Sequence, residues 1–433
     1  MIRFSFFLEL GVFSILIIFL ILLLLKDMRL RVYWELLFWN ISFRRVGIIL
    51  CLIRVWVIKV VLHRVDRIAL NSQRGSLLVL FLSLLTLILI IFFFTKRFFI
   101  LYFMFELSLI PIFIIIIGWG YQVERFKARM IIMFYTLFAS LPLLIILIYL
   151  NLLMRRLYLF NETFRVINLD IITRSIFWIL LIAFLVKTPI YVFHSWLPKA
   201  HVEAPVFGSM ILAAVLLKLG TYGVYILSVY LKSQNLFNLV VRISLCGILF
   251  VGFSCVRAID LKIIIALSSV SHIGIVLVRL GLQRLVLELS RVYIILRHGV
   301  SSSLLFLAAG IIYSRRHSRI LLFRKGLNIW LPIFSLMWFL IIVMNMAGPP
   351  RVNLLREFLM LIFFSNYRFF FSLFIFLGVI VGRGYSLLIF RILIQGWEIS
   401  YWIKFNLRCR EILITSNYLI SGFSGVFYFF LIH

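Results

Sequence analysis

The sequence predicts an all-α, polytopic membrane protein of about 14 transmembrane helices. Three observations carry that prediction. The 433 residues are 65% hydrophobic and only 13% charged, with a mean hydropathy of +1.18. Soluble domains run at about 45–50% apolar and about 25% charged, and a water-soluble fold cannot hide this much apolar surface. The apolar residues also fall into runs of about 20, the length a helix needs to cross a bilayer. Alternation in ten-residue segments, the mark of a membrane β-barrel, is absent.

The runs lie near 5–25, 46–62, 75–95, 98–118, 129–151, 175–195, 205–231, 238–256, 260–281, 288–313, 328–348, 351–367, 368–392 and 412–432. The first is too long for a signal-peptide core, and no small-residue cleavage site comes after it, so it reads as a helix. No Arg/Ser-rich transit peptide precedes it. A mitochondrial location would therefore imply synthesis inside the organelle. Polar residues concentrate in short connections such as Gln122–Lys127 and Ser314–Lys325. No soluble domain fits anywhere.

Several helices carry a proline beside an ionisable residue. Pro189 lies two residues after Lys187, and Pro349 and Pro350 precede Glu357. Broken helices survive at membrane depth only where protein or a wet cavity satisfies the freed backbone. Paired breaks in corresponding halves point to a transport site built from repeats.

Ionisable residues inside apolar runs are costly there and mark function or a buried partner. They are Glu106, Lys187, Lys218, His272, His298 and Glu357. A lysine beside a carboxylate changes its proton affinity as that carboxylate gains or loses a proton. Histidines between them supply sites near neutral pH. Such a series can load, hold and release protons. The structural alternatives are static ion pairs fixing helix packing and satisfied interhelical hydrogen bonds. His194 and His201 flank a connection, where capping accounts for them equally well. Trp196, close to Pro198, reads as an interfacial anchor. The four cysteines form no CxxC pair and read as small buried residues. With no nucleotide loop, the chain is expected to hold no cofactor and no metal.

The stretch from Val186 to Pro205, VKTPIYVFHSWLPKAHVEAP, is long and specific, and GSMILAAVLLKLG continues it from Gly208. It closely resembles the chain 4 family of mitochondrial proton-pumping NADH:ubiquinone oxidoreductase, respiratory complex I. Three further blocks agree: Phe105–Pro111, Ser268–Gly274 and Asn345–Pro350 with Asn353–Leu355. The likeness covers roughly residues 98–400, while the first 95 residues match in hydropathy alone.

The resemblance implies 14 helices with two inverted five-helix antiporter-like repeats, each containing a broken helix. The implied division is 1–97 for the N-terminal helices, 98–231 and 232–392 for the two repeats, and 393–433 for the connection and last helix. It implies Glu106 and Lys187 as a coupled pair in the first half-channel. Lys218 is the implied connecting site, His272 and His298 relay positions, and Glu357 the site next to the exit. His194, His201, Pro189, Pro349 and Pro350 are supporting residues. The chain would have no redox chemistry of its own. NADH, FMN, iron–sulfur clusters and ubiquinone would be bound by other subunits. Partners would be other membrane-arm subunits in the mitochondrial inner membrane. A stand-alone sodium/proton antiporter and a non-pumping structural subunit are the competing readings.

The formal net charge of +30, from 44 Lys+Arg against 14 Asp+Glu, fits this reading badly. In a soluble protein it would suggest nucleic acid, but here Arg54, Arg129, Arg279, Arg291, Arg297, Arg356, Arg383 and Arg391 fall inside apolar runs. Each costs about 2.5–3.5 kcal/mol at a helix centre if unpaired. Arg297, Arg351, Arg356 and Arg383 stand where the resembling family carries small residues. Two readings account for them. Either they are serine codons (AGA or AGG under an invertebrate mitochondrial code) translated with another code table, or they are genuine arginines that snorkel or bind anionic lipid such as cardiolipin. Peptide mass spectrometry across Arg351 and Arg356 separates the two.

Overall fold

The computed structural model describes residues 73–95, 97–120, 124–154, 171–230, 234–281, 288–346, 348, 357, 361, 369–395 and 407–424. The expected helices at 5–25 and 46–62, most of the run at 351–367, and Pro349, Pro350, Arg351, Arg356 and Cys51 lie outside them.

The described residues form helices joined by short turns, with an antiparallel bridge between Asp260 and Ile320. Among the described residues, seven helical segments are long and apolar enough to cross a membrane, or eight counting a bent pair at 321–345. In order, α1 is Gln73–Phe94, α2 Phe98–Leu107, α3 Leu109–Trp119, α4 Arg125–Met154, α5 Ile171–Lys187 and α6 Trp196–Glu203. Then come α7 Val206–Ile211, α8 Leu217–Tyr230, α9 Gln234–Arg257, α10 Leu261–Gly281 and α11 Glu288–Arg316. The last are α12 Leu327–Trp330, α13 Pro332–Asn345, α14 Phe369–Ile394 and α15 Cys409–Ser424.

Local chemistry explains the interruptions. The run at 98–118 is two helices, α2 and α3, meeting at Ser108. Pro111 has no N–H to offer the carbonyl of Leu107, and its ring crowds that carbonyl. The run at 175–195 is not one straight span. α5 stops at Lys187 because Pro189 cannot continue it and disfavours helical geometry at Thr188. A 3₁₀ turn, Tyr191–Phe193, then leads to α6. The first expected break is therefore present. A second bend, of 117°, separates 321–329 from α13. The apolar pattern does not predict it.

The segment from Val206 to Ser228 is the innermost, covered by protein along its length. It joins α7 to α8 through a π-helical turn, Leu212–Leu216. α5 and α11 pack against it, and α10 packs on α9 and α11. α4 turns its other face outward, with Phe138, Ile145 and Leu152 exposed. Apolar residues need no protein cover when lipid is the solvent. The same reason corrects the cysteine expectation: Cys255 is buried, but Cys246 and Cys409 are exposed.

Candidate functional site: a buried line of charge

The interruptions set the functional side chains. Lys187 is the last residue of α5 and only 2% exposed. Its Nζ donates to the backbone carbonyl of Phe105 at 2.6 Å. The same ammonium sits 3.2 Å from the centroid of the Phe105 ring. Glu106 is the next residue along α2. Both of its carboxylate oxygens are buried without a hydrogen-bond partner of normal geometry, although the Ser140 hydroxyl faces the group. Glu106 and Lys187 feel each other's charge. No ammonium–carboxylate ion pair joins them among the described residues.

Trp196 departs from expectation. It is buried, and its Nε1 donates to the Val186 carbonyl at 3.1 Å across the break. An interfacial anchor would keep its indole at the headgroups. This one satisfies the Val186 carbonyl, whose usual helical donor, the Ile190 N–H, turns instead to Leu185, the carbonyl that Pro189 cannot meet. His194 comes directly after the 3₁₀ turn, contacts the Tyr191 carbonyl and stacks on the Tyr191 ring.

Lys218 lies just after the π turn and is 2% exposed. Its Nζ reaches back to the Ala213 carbonyl at 2.5 Å and across to His298 Nδ1 at 3.2 Å. π-helical turns of this kind recur at functional sites, and the extra residue in the turn re-aims the side chains of the next helix. The His298 and His272 rings lie 5.5 Å apart. The structure thus brings together three of the residues singled out from sequence, on α8, α11 and α10.

A small cavity of about 30 Å³ continues from there. Its lining includes His272, Ser271, Asn345, Glu357, Arg383 and Tyr385. Glu357 Oε2 accepts from Arg383 Nη2 at 3.3 Å, and Arg279, 1% exposed, acts on the same carboxylate by its charge. The buried Tyr385 hydroxyl lies against Ser268 and Ser271. His272 and Glu357, 85 positions apart in sequence, thus line one small cavity.

Sequence reasoning missed a second group, at the end of α6. Glu203 is buried and 3.5 Å from Arg319. Lys262 donates to the carbonyls of Val202 at 3.2 Å and Ala204 at 2.9 Å, satisfying the end of α6 before Pro205. Its signal was available: Lys262 is an ionisable residue at the start of an apolar run. His201 does not flank a connection as expected. It lies inside α6, fully buried and stacked on Phe306 at 4.5 Å. Neither ring nitrogen has a hydrogen-bond partner among the described residues. Those residues also contain no cluster of His, Cys, Asp or Glu able to hold a metal.

Broken helices around a buried series of acid, lysine and histidine define an antiporter-like membrane subunit. Residues 95–382 match the family described as NADH:quinone oxidoreductase/Mrp antiporter, transmembrane region, and the chain belongs to that family. Among its relatives is the NADH-ubiquinone oxidoreductase chain 4 of Polypterus ornatipinnis. That protein is 40% identical over 323 residues, covering 74% of this chain and 70% of its own. Chain 4 of Apis mellifera ligustica is 34% identical over 370 residues, covering 84% and 80%. Two solved structures share the fold. A chain of respiratory complex I from Thermus thermophilus gives a TM-score of 0.77 at 21% identity. A chain of the Mrp complex from Dietzia sp. gives 0.76 at 15%. Each match covers 89% of this chain and 81% of the other.

Proposed function

We propose that this chain is the chain 4 type, proton-translocating subunit in the membrane arm of NADH:ubiquinone oxidoreductase, respiratory complex I, in the mitochondrial inner membrane. The observation that carries the reading is the sequence kinship with chain 4 proteins, at 34–48% identity. The likeness to the Mrp chain is one of fold and does not favour a stand-alone antiporter. Electron transfer, with its FMN, iron–sulfur clusters and ubiquinone, belongs in this reading to other subunits. Anionic lipid is a further partner in this reading, met by exposed arginines of the spans such as Arg391.

In the mechanism, redox energy released elsewhere alters the charge balance at Glu106 and Lys187. The proton then passes by way of Lys218, His298 and His272 to Glu357. Support comes from the 3.2 Å approach of Lys218 to His298 and from the cavity shared by His272 and Glu357. A buried cation with a changeable acid beside it releases its proton when that balance shifts. The test is the proton-to-electron ratio of the assembled enzyme carrying Glu106→Gln or Lys187→Ala. The ratio is expected to fall with assembly intact. An unchanged ratio would leave a passive scaffold as the better description.

A further inference from the structure

Glu106 is the obvious partner for Lys187, yet the ammonium is elsewhere. It rests on Phe105, the residue immediately before. Two features of Phe105 hold it. One is the ring face, 3.2 Å from Nζ to centroid, where the negative quadrupole attracts a cation. The other is the backbone carbonyl, 2.6 Å away. That carbonyl belongs to the last turn of α2, where helix interruption leaves carbonyls short of amide partners and the helix end is electronegative. It accepts from the Ser108 hydroxyl as well, at 2.7 Å.

The ring is fixed in place. Phe184 packs edge-on against it at 5.1 Å, and Phe92 lies stacked at 6.4 Å. Phe105 is 1% exposed. A buried ammonium without compensation is prohibitively costly, so a preformed second position for it has a physical purpose.

We propose that Phe105 is a positioning residue, a second dock that holds the charged Lys187 side chain off Glu106. This deepens the proton-translocation reading and rests on it. Phe105 and Glu106 are adjacent on α2, about 1.5 Å apart along its axis but about 100° apart around it, so ring and carboxylate point to different sides of the helix, and Lys187 feels the charge of Glu106 from its place on Phe105. Rotation about the flexible four-carbon lysine stem is what carries the ammonium from the ring toward the carboxylate without moving a helix. The pair becomes a two-position element: in the docked position Glu106 is free to exchange its proton while Lys187 keeps its charge. The contacts of Lys187 with Phe105 are those of the docked position.

The test replaces Phe105 in the assembled membrane enzyme and reads protons pumped per electron, with assembly monitored on native gels. Phe105→Leu and Phe105→Met lose the ring face. Pumping is expected to fall about fivefold to tenfold, the equivalent of roughly 1–1.4 kcal/mol. Phe105→Tyr keeps the ring face and is expected to retain most of the activity. Trifluorophenylalanine at position 105 keeps shape and packing but strips the negative ring face, so it serves even where leucine fails to assemble. It should fall with the leucine variant. Parent-level pumping with trifluorophenylalanine, or a tyrosine variant as impaired as leucine, overturns the dock. Glu106→Gln distinguishes the two levels: if it abolishes pumping while the ring variants do not, proton translocation stands and the dock falls. If none of these changes matters, the functional reading itself fails.

Discussion

The two halves of the charge line are built from different materials. Around Lys187 the wall is aromatic and dry. Phe105 touches Phe184, Phe184 meets Phe98 at 6.4 Å, and Phe92 meets Tyr222 at 5.7 Å. Around His272 more hydroxyl and amide groups are buried, with Ser268, Ser271, Asn345 and Tyr385 near a small cavity that reaches Glu357. A dry wall strengthens electrostatic interactions and gives a charge few places to rest. A cavity of this size has room for about one or two waters, each of which needs two to four polar partners. The first half is suited to holding a charge in one of two positions, the second to passing it on. Lys218 stands between them, tied to a backbone carbonyl on one side and to His298 on the other.

Replacing the joint should break the comparison most severely. Lys218→Met keeps the stem and removes the cation from both contacts. Pumping in assembled enzyme is expected to drop at least about tenfold, the loss set by roughly 1.4 kcal/mol or more of charge-assisted interaction. Near-normal pumping would mean the two halves work separately.

A glycine tests the dry half. An added Cβ at Gly223 would lie 2.1 Å from the Phe184 ring, and that ring braces Phe105. Gly223→Ala forces the ring aside, at a cost of about 1–3 kcal/mol for overpacking. Thermal stability of the assembled enzyme should fall, and pumping with it. An unchanged melting temperature would show that the aromatic wall is more yielding than its packing suggests.

The smallest effect is expected in the wet half. Tyr385→Phe removes a buried hydroxyl beside Ser268 and Ser271. Water can take over part of its role, so the rate of pumping should fall only about two- to threefold, a fraction of a kcal/mol. Stability should barely move. A loss as large as that of Lys218→Met would mean the hydroxyl is itself an obligatory step.

Much of the architecture was legible in the chain. Twenty-residue apolar runs are a local property, and hydrophobic thickness is all the bilayer asks of a helix. Ionisable residues inside those runs announce themselves because burial is costly. Pro189 marked the break because its missing N–H acts on its own helix. What the sequence could not provide was which distant groups meet. Lys187 finds a carbonyl 82 residues away and Lys218 a histidine 80 residues away.

The same limit explains the misplacements. Trp196, close to Pro198, looked like an interfacial anchor, and His201 looked like a residue flanking a connection. Packing turned Trp196 inward to close a carbonyl and buried His201 against Phe306. Glu203 and Lys262 matter because the end of α6 meets α10. The sequence by itself determined that the chain crosses the membrane, where Pro189 breaks its helix and which residues carry charge inside the apolar runs. Only the tertiary structure decided that Lys187 lies on Phe105 rather than on Glu106. Hydrophobicity and backbone chemistry are written residue by residue, whereas the resting place of a buried charge depends on every surface brought around it.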